Sequence, residues 1–202
     1  EYVQGTAYDE AGRVIQRRLG SLPILETSFW YYGWADVNGR GRVGSIDTHK
    51  LSAPTGEVQS LHYWYDVVGN VSRVSYGTPD PEAPIGRSYQ YDALDRLTRV
   101  NLMSPGTPYL LESYAYAETG NLVARYPEGA PGYDYGYGAQ AADCPEGALA
   151  KAHAVVAAVT LTYGPTTYCY DQNGNLRRQV IGGEKVFWFD YDAENHLVEI
   201  SG

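Results

Sequence analysis

Apolar residues along this chain recur with a period of two. Paired aromatics stand two residues apart at Tyr63 and Tyr65, Tyr89 and Tyr91, Tyr114 and Tyr116, Tyr168 and Tyr170, and Phe189 and Tyr191. That spacing puts both rings of a pair on one face of a β-strand. A few residues later comes an aliphatic residue followed by mixed polar and apolar ones, as in Leu97-Thr98-Arg99-Val100 and Leu197-Val198-Glu199-Ile200. This is the pattern of a returning strand, so each unit predicts a β-hairpin.

The segment joining the two strands is a repeated phrase. Tyr8-Asp9-Glu10-Ala11-Gly12-Arg13-Val14, Tyr65-Asp66-Val67-Val68-Gly69-Asn70-Val71 and Tyr170-Asp171-Gln172-Asn173-Gly174-Asn175-Leu176 share one order of residue types. Tyr91-Asp92-Ala93-Leu94-Asp95-Arg96-Leu97, Tyr116-Ala117-Glu118-Thr119-Gly120-Asn121-Leu122 and Tyr191-Asp192-Ala193-Glu194-Asn195-His196-Leu197 are variants of it. Tyr65, Tyr91 and Tyr116 stand 26 and 25 residues apart, and Tyr170 and Tyr191 stand 21 apart. Two longer gaps predict degenerate copies at Ala35-Asp36-Val37-Asn38-Gly39-Arg40 and at Tyr133-Asp134-Tyr135-Gly136-Tyr137-Gly138.

Asp followed three residues later by Gly is the chemistry of a type I turn, with a side-chain acceptor at the start and a left-handed residue at the end. Such a turn closes a short hairpin loop with a bulge. Where Gly is missing, Asp95 and Asn195 replace it, and these residue types tolerate the left-handed region best. The expected fold is all-β, with tandem hairpins forming one continuous curved sheet. An isolated hairpin is marginal in water, so the units must pair edge to edge. Residues 1–202 read as one array of about six to eight hairpins and as a fragment of a longer array, whose terminal edges are expected to pair with further repeats.

Some segments depart from the pattern. Gly77 to Pro84, Ser104 to Pro108 and Tyr126 to Gly132 are proline-rich connectors. Residues 139–152 are alanine-rich and read as a short helical or loop insertion, followed by a strand from Ala154 to Tyr163. Cys144 and Cys169 stand 25 apart, matching no zinc or redox spacing. A disulfide and two separate thiols both remain open for them.

Composition narrows the function classes. Twenty Tyr and 23 Gly favour strands and tight turns. A formal charge of -9 argues against a nucleic-acid surface, which needs clustered Lys and Arg. No apolar run is long enough to span a bilayer as a helix, and Glu1-Tyr2-Val3-Gln4 is no signal peptide, so a secretion signal, if one is used, is expected outside this stretch.

Candidate chemistry is sparse. Asp171 to Asn175 and Asp36 to Arg40 resemble calcium loops only superficially, because an EF-hand needs Gly at its sixth position and Glu at its twelfth, and the twelfth residue from Asp171 is Gly182. Asp92, Glu118, Asp171 and Asp192 are the acids available for a glycosidase pair, yet the three aspartates occupy one turn slot in successive repeats. His49, His62, His153 and His196 form no ligand or nucleophile motif. No cofactor, metal or catalytic residue is expected. Trp30, Tyr32, Trp34 and Trp64 lie in the opposite register to Tyr63 and Tyr65, and are the candidate ligand or partner aromatics.

The Tyr-Asp-x-x-Gly-(Arg/Asn)-Leu phrase resembles the YD repeat of the Rhs family, which includes bacterial polymorphic toxins, toxin-complex shell proteins and teneurins. The likeness covers almost the whole chain. Phe189 to Leu197 is similar to the last repeat before that family's core, and His153-Ala154-Val155 to the run-up to a late repeat. The resemblance implies a secreted or cell-surface protein whose hairpins build the wall of a hollow β-shell or a surface fibre. Its partners would be further YD repeats, an encapsulated C-terminal effector or a cell-surface glycan. The alternative reading is a carbohydrate- or cell-surface-binding module that uses the off-register aromatics.

Overall fold

A computed structural model describes residues 2–21, 24–51, 56–77, 85–104, 109–138, 140, 142–145, 152–160 and 164–202. The chain is all-β, and its described residues form sixteen strands whose order in the sheet is their order in sequence. No helix occurs among the described residues. Two compact units divide it, Glu1–Leu111 and Glu112–Gly202.

The first unit holds β1 (Val3–Tyr8), β2 (Val14–Leu19), β3 (Leu25–Tyr31), β4 (Val43–Lys50), β5 (Glu57–Tyr65), β6 (Val71–Tyr76), β7 (Gly86–Tyr91) and β8 (Leu97–Met103). β9 (Tyr109–Tyr116) runs across the boundary. The second unit continues with β10 (Leu122–Pro127), β11 (Tyr133–Tyr137), β12 (Val155–Thr160), β13 (Gly164–Tyr170), β14 (Leu176–Ile181), β15 (Lys185–Tyr191) and β16 (Leu197–Ser201).

The repeated phrase sets the register of each hairpin. Its Tyr faces its aliphatic residue across the strand pair: Tyr8 faces Val14, Tyr65 faces Val71 and Tyr91 faces Leu97 in the first unit. In the second, Tyr116 faces Leu122, Tyr170 faces Leu176 and Tyr191 faces Leu197. A register shift lies beside every one of these pairs, the bulge expected of a turn that ends in a left-handed residue.

Each unit is a single sheet, so a side chain is covered mainly by its neighbours along the sheet. Among the described residues the buried apolar side chains are therefore few and mostly small: Val74 and Val100 in the first unit, and Ala124, Val156, Ala158 and Cys169 in the second. The tyrosines around them are half-buried and act as the cover.

Two expectations need correction. Tyr133 to Gly136 is no turn copy; it lies within β11, because alternating Tyr residues two apart favour a strand over a loop. Asp36 does organise a turn, accepting the N–H groups of Asn38 at 2.9 Å and Gly39 at 2.6 Å, but within a longer loop than a repeat hairpin has. β3 ends at Tyr31 and β4 begins at Val43, leaving a loop over residues 32–42 whose left-handed residues are Arg40 and Gly41, not Gly39. The strand expected from Ala154 to Tyr163 is β12, Val155–Thr160, with 161–163 outside the described residues. Of segment 139–152, Ala142–Cys144 form turn and bend, and residues 139, 141 and 146–151 lie outside the described residues. Most of the Gly77–Pro84 and Ser104–Pro108 connectors also lie outside them.

Candidate functional site

The feature that recurs most often is the row of turns. With the phrase numbered from its Tyr as first place, the fifth-place N–H donates to the second-place carbonyl in all six copies, as from Gly12 to Asp9 at 3.0 Å and from Asn195 to Asp192 at 3.1 Å. The second-place N–H donates to the sixth-place carbonyl, closing the loop. All fifth places have positive φ, including the non-glycine Asp95 at 59° and Asn195 at 64°.

The Asp carboxylate organises the inside of the loop. One oxygen of Asp92 accepts the N–H of Leu94 at 2.9 Å and of Arg96 at 3.0 Å, while the other accepts Arg96 Nε at 2.7 Å. Asp9, Asp66, Asp171 and Asp192 repeat this arrangement with Arg13, Asn70, Asn175 and His196. The backbone bond from Arg13 holds the Asp9 carboxyl below its usual pKa, and that from Arg96 does the same for Asp92. At Asp66 and Asp171 desolvation pushes upward, and the N–H donors of the loop outweigh it. Each Asp is thus fully engaged as an acceptor in its own turn.

A Tyr that ends the first strand of a hairpin has a second role that the sequence pattern did not reveal. Its phenol donates to the backbone carbonyl of the first residue of the preceding hairpin's returning strand. Tyr31 donates to Val14, Tyr65 to Val43 and Tyr91 to Val71 in the first unit, and Tyr137 to Leu122 and Tyr170 to Val155 in the second, each at 2.8 Å. This is why the position calls for Tyr and not Phe. Tyr91→Phe should lower the unfolding free energy by about 1 kcal/mol, read from urea denaturation, because the Val71 carbonyl loses its phenol donor.

The four candidate ligand aromatics do not form one strip. Trp30 is 55% exposed and Trp34 69%. Tyr32 is half-buried, donates its phenol to the Tyr63 carbonyl at 2.9 Å and meets Trp30 edge-on at 4.8 Å. Trp64 is half-buried beneath the Arg73 guanidinium, 3.5 Å from its ring centroid. Glycines seat the first three rings: a Cβ on Gly44 would meet Trp30, one on Gly39 would meet Tyr32 and one on Gly41 would meet Trp34, all within 2.5 Å. Arg13 lies over both Tyr31 and Trp34, with 4.4 and 5.1 Å to the ring centroids.

Two further groupings escaped the sequence reading. In the second unit, Tyr133, Tyr135, Tyr168, Ile181 and Phe187, with Lys185 at hand, line a groove of about 480 Å³, and the Tyr133 and Tyr135 rings are parallel. In the first, Asp47 accepts hydroxyl donors from Ser45 at 2.8 Å and Ser60 at 2.7 Å, and Ser60 Oγ lies 3.2 Å from His62 Nε2. Ser and His contact Asp47 from the same side of the imidazole, with Nε2 4.0 Å from its carboxylate, so this is not the relay of a nucleophilic triad. Cross-strand spacing by two could have pointed to Asp47 and His62 only once the register of β4 and β5 was known.

Elsewhere, the acids considered for glycoside cleavage serve separate turns or, like Glu118, stand exposed. The exposed Asp192, Glu194 and His196 come within 4.8 Å of one another through the geometry of their turn, with His196 Nδ1 already on Asp192. Cys144 and Cys169 are joined in a disulfide that ties residues before β12 to β13. Among the described residues no helix is long and apolar enough to cross a membrane.

No family model and no curated protein matches the sequence. Solved structures do match in fold. A chain of the Photorhabdus luminescens Tc holotoxin pore, in a TccC3 mutant, superposes with a TM-score of 0.57 at 15% identity. A chain of the TcdB2–TccC3–TEV crystal structure superposes with a TM-score of 0.58 at 16% identity. Both alignments cover 97% of this chain and 11% of the other, so the chain spans about a tenth of the length of these structures. In fold the chain is similar to these toxin-complex chains, and the resemblance of its turn phrases to the Rhs/YD repeat agrees with that likeness.

Proposed function

We propose that this chain is a structural, non-catalytic segment of a larger extracellular YD-repeat scaffold, the wall of a shell or fibre that encloses or presents an effector or adhesive domain. The observation that carries this reading is the way one hairpin is bonded to the next. The same phenol-to-carbonyl bond recurs between hairpins in both units, so the array grows by lateral addition and not around a closed core. The fold likeness to the Tc toxin chains supports it.

On this reading residues 1–202 are a single YD array and further hairpins, of the same polypeptide or of other copies, pair with β1 and β16. Every residue of β16 is exposed, with Leu197, Val198 and Ile200 among the exposed large apolar side chains. Such an edge is a template for pairing. A structure of the native assembly should show YD hairpins flanking both strands. Solvent-exposed edges there, with a monodisperse monomer of the chain at high concentration, would overturn the scaffold reading.

The exposed Trp30 and Trp34 favour a second reading, carbohydrate or cell-surface binding through aromatic faces. A glycan array that binds the chain, and loses binding on Trp30→Ala and Trp34→Ala, would select it.

A further inference from the structure

The sixth place of the turn phrase is Asn in three copies, Arg in two and His in one, and neither local turn geometry nor strand pairing requires that choice. Arg and Asn both satisfy the Asp of their own turn, Arg13 and Arg96 through Nε and Asn70 and Asn175 through Nδ2. What differs is the group that each presents to the next loop along the same edge of the sheet.

Where the sixth place is Asn, its amide reaches a side-chain or backbone acceptor in the following loop. Asn70 Nδ2 donates to Asp95 Oδ1 at 2.9 Å, and Asn175 Nδ2 donates to Asn195 Oδ1 at 2.9 Å, with Asn173 Nδ2 on the same oxygen at 3.0 Å. Asn121 Nδ2 donates to the Ala152 carbonyl at 2.9 Å, and its Oδ1 meets His153 Nδ1. Two arginines of the first unit each meet a glycine instead. Arg13 donates to the Gly41 carbonyl at 2.9 Å. Arg42, which precedes the strand-opening Val43, lies against Gly69, and a Cβ there would come within 2.1 Å of its guanidinium.

The two phrases that lack Gly at the fifth place each follow an Asn phrase in the same unit. Asp95 and Asn195 hold left-handed backbone where Gly would be the easier residue, and each uses its side chain to receive the amide from the hairpin before it. We infer that the sixth place of one turn and the fifth place of the next form a matched recognition pair by which each hairpin selects its neighbour: Asn with a carboxylate or amide, Arg with glycine. Asn70 and Asn175 donate to side-chain acceptors at the next fifth place, whereas Arg13 reaches the backbone carbonyl of Gly41 and Arg42 occupies the space that a Cβ on Gly69 would fill. The pairs lie at the exposed turns, so they act on which hairpin docks beside which and on its register, where strand hydrogen bonds alone discriminate poorly.

A double-mutant cycle on the whole chain tests this. Asn70→Ala should raise the unfolding equilibrium constant roughly fivefold more in the Asp95 chain than in Asp95→Gly, a coupling typical of residues in contact. Asp95→Asn should keep the coupling, and Asn70→Arg together with Asp95→Gly should bring stability back to within about twofold of the starting chain, since it converts one matched class into the other. Amide exchange in β6 and β7 should follow the same order. The cycle repeated on Asn175 and Asn195 supplies an independent reading if a variant of the first pair does not fold. Additive effects at both pairs, or Asp95→Gly alone being as stable as the matched swap, would overturn the inference and leave Asp95 and Asn195 as ordinary turn residues.

Discussion

Reduction of the Cys144–Cys169 bond should lower the unfolding free energy by about 3 kcal/mol, the chain-entropy value for a loop of this length. The two residues are 25 apart in sequence, and Cys169 is 1% exposed within β13. The residues around Cys144 have other anchors: Gln140 accepts the Tyr170 N–H at 2.7 Å, and Asp143 pairs with Arg178 at 2.7 Å. The Asp143 pair has an exposed carboxylate and contributes little by itself. Reduction should therefore free this segment first and loosen β12 and β13 with it. Urea denaturation with and without a thiol reductant, and of Cys144→Ser combined with Cys169→Ala, measures the effect. Coincident transitions would show that the remaining hydrogen bonds hold the segment without the bond.

Stability should also fall on the alkaline side, beginning near the ordinary tyrosine pKa of about 10. Burial raises the phenol pKa of Tyr63, Tyr65, Tyr89, Tyr91, Tyr135, Tyr137 and Tyr170. A folded pKa above the unfolded one means that the neutral phenol is the form the fold prefers. The contribution is complete below the unfolded pKa and is lost as pH rises through the folded values, when the unfolded chain gains stability by ionising. Two of these phenols in each unit, Tyr65 and Tyr91 in the first and Tyr137 and Tyr170 in the second, donate the bonds between hairpins, so their ionisation removes donors as well. At the acid end the sign reverses. The lowered carboxyls of Asp9, Asp66, Asp92 and Asp171 contribute stability above their unfolded value of about 3.9, and it is lost as pH falls through the folded values. Thermal melts from pH 3 to 11 should give a plateau with a fall at both ends, steeper on the alkaline side. A flat alkaline limb would mean that the tyrosines are not held neutral by the sheet.

Much of this molecule is legible in the chain because its folding unit is short. Everything that closes a hairpin lies within seven residues: the Tyr that opens the phrase, the Asp that collects the loop's N–H groups and the left-handed Gly, Asp95 or Asn195 that ends it. Such local chemistry repeats in sequence as it repeats in space, so the all-β class follows from the phrase alone. Tyr133 to Gly136 misled because the letters of a turn phrase occur there inside a strand, and only pairing with β12 shows which way the backbone runs. The loop from 32 to 42 misled for the opposite reason, as Arg40 and Gly41 take over the left-handed role that Gly39 was expected to fill.

What lay beyond the sequence were the contacts between strands and hairpins brought side by side within a unit. Tyr91 to Val71, Asn70 to Asp95, Trp30 on Gly44 and Asp47 between Ser45 and Ser60 all depend on which strand lies beside which and in what register. A slip of one residue in pairing would turn these side chains to the other face. The sequence by itself determined the hairpins, their turns and their number of faces, because those rest on bonds within one loop. The tertiary structure alone decided how each hairpin recognises the next, because that rests on side chains brought together across the sheet.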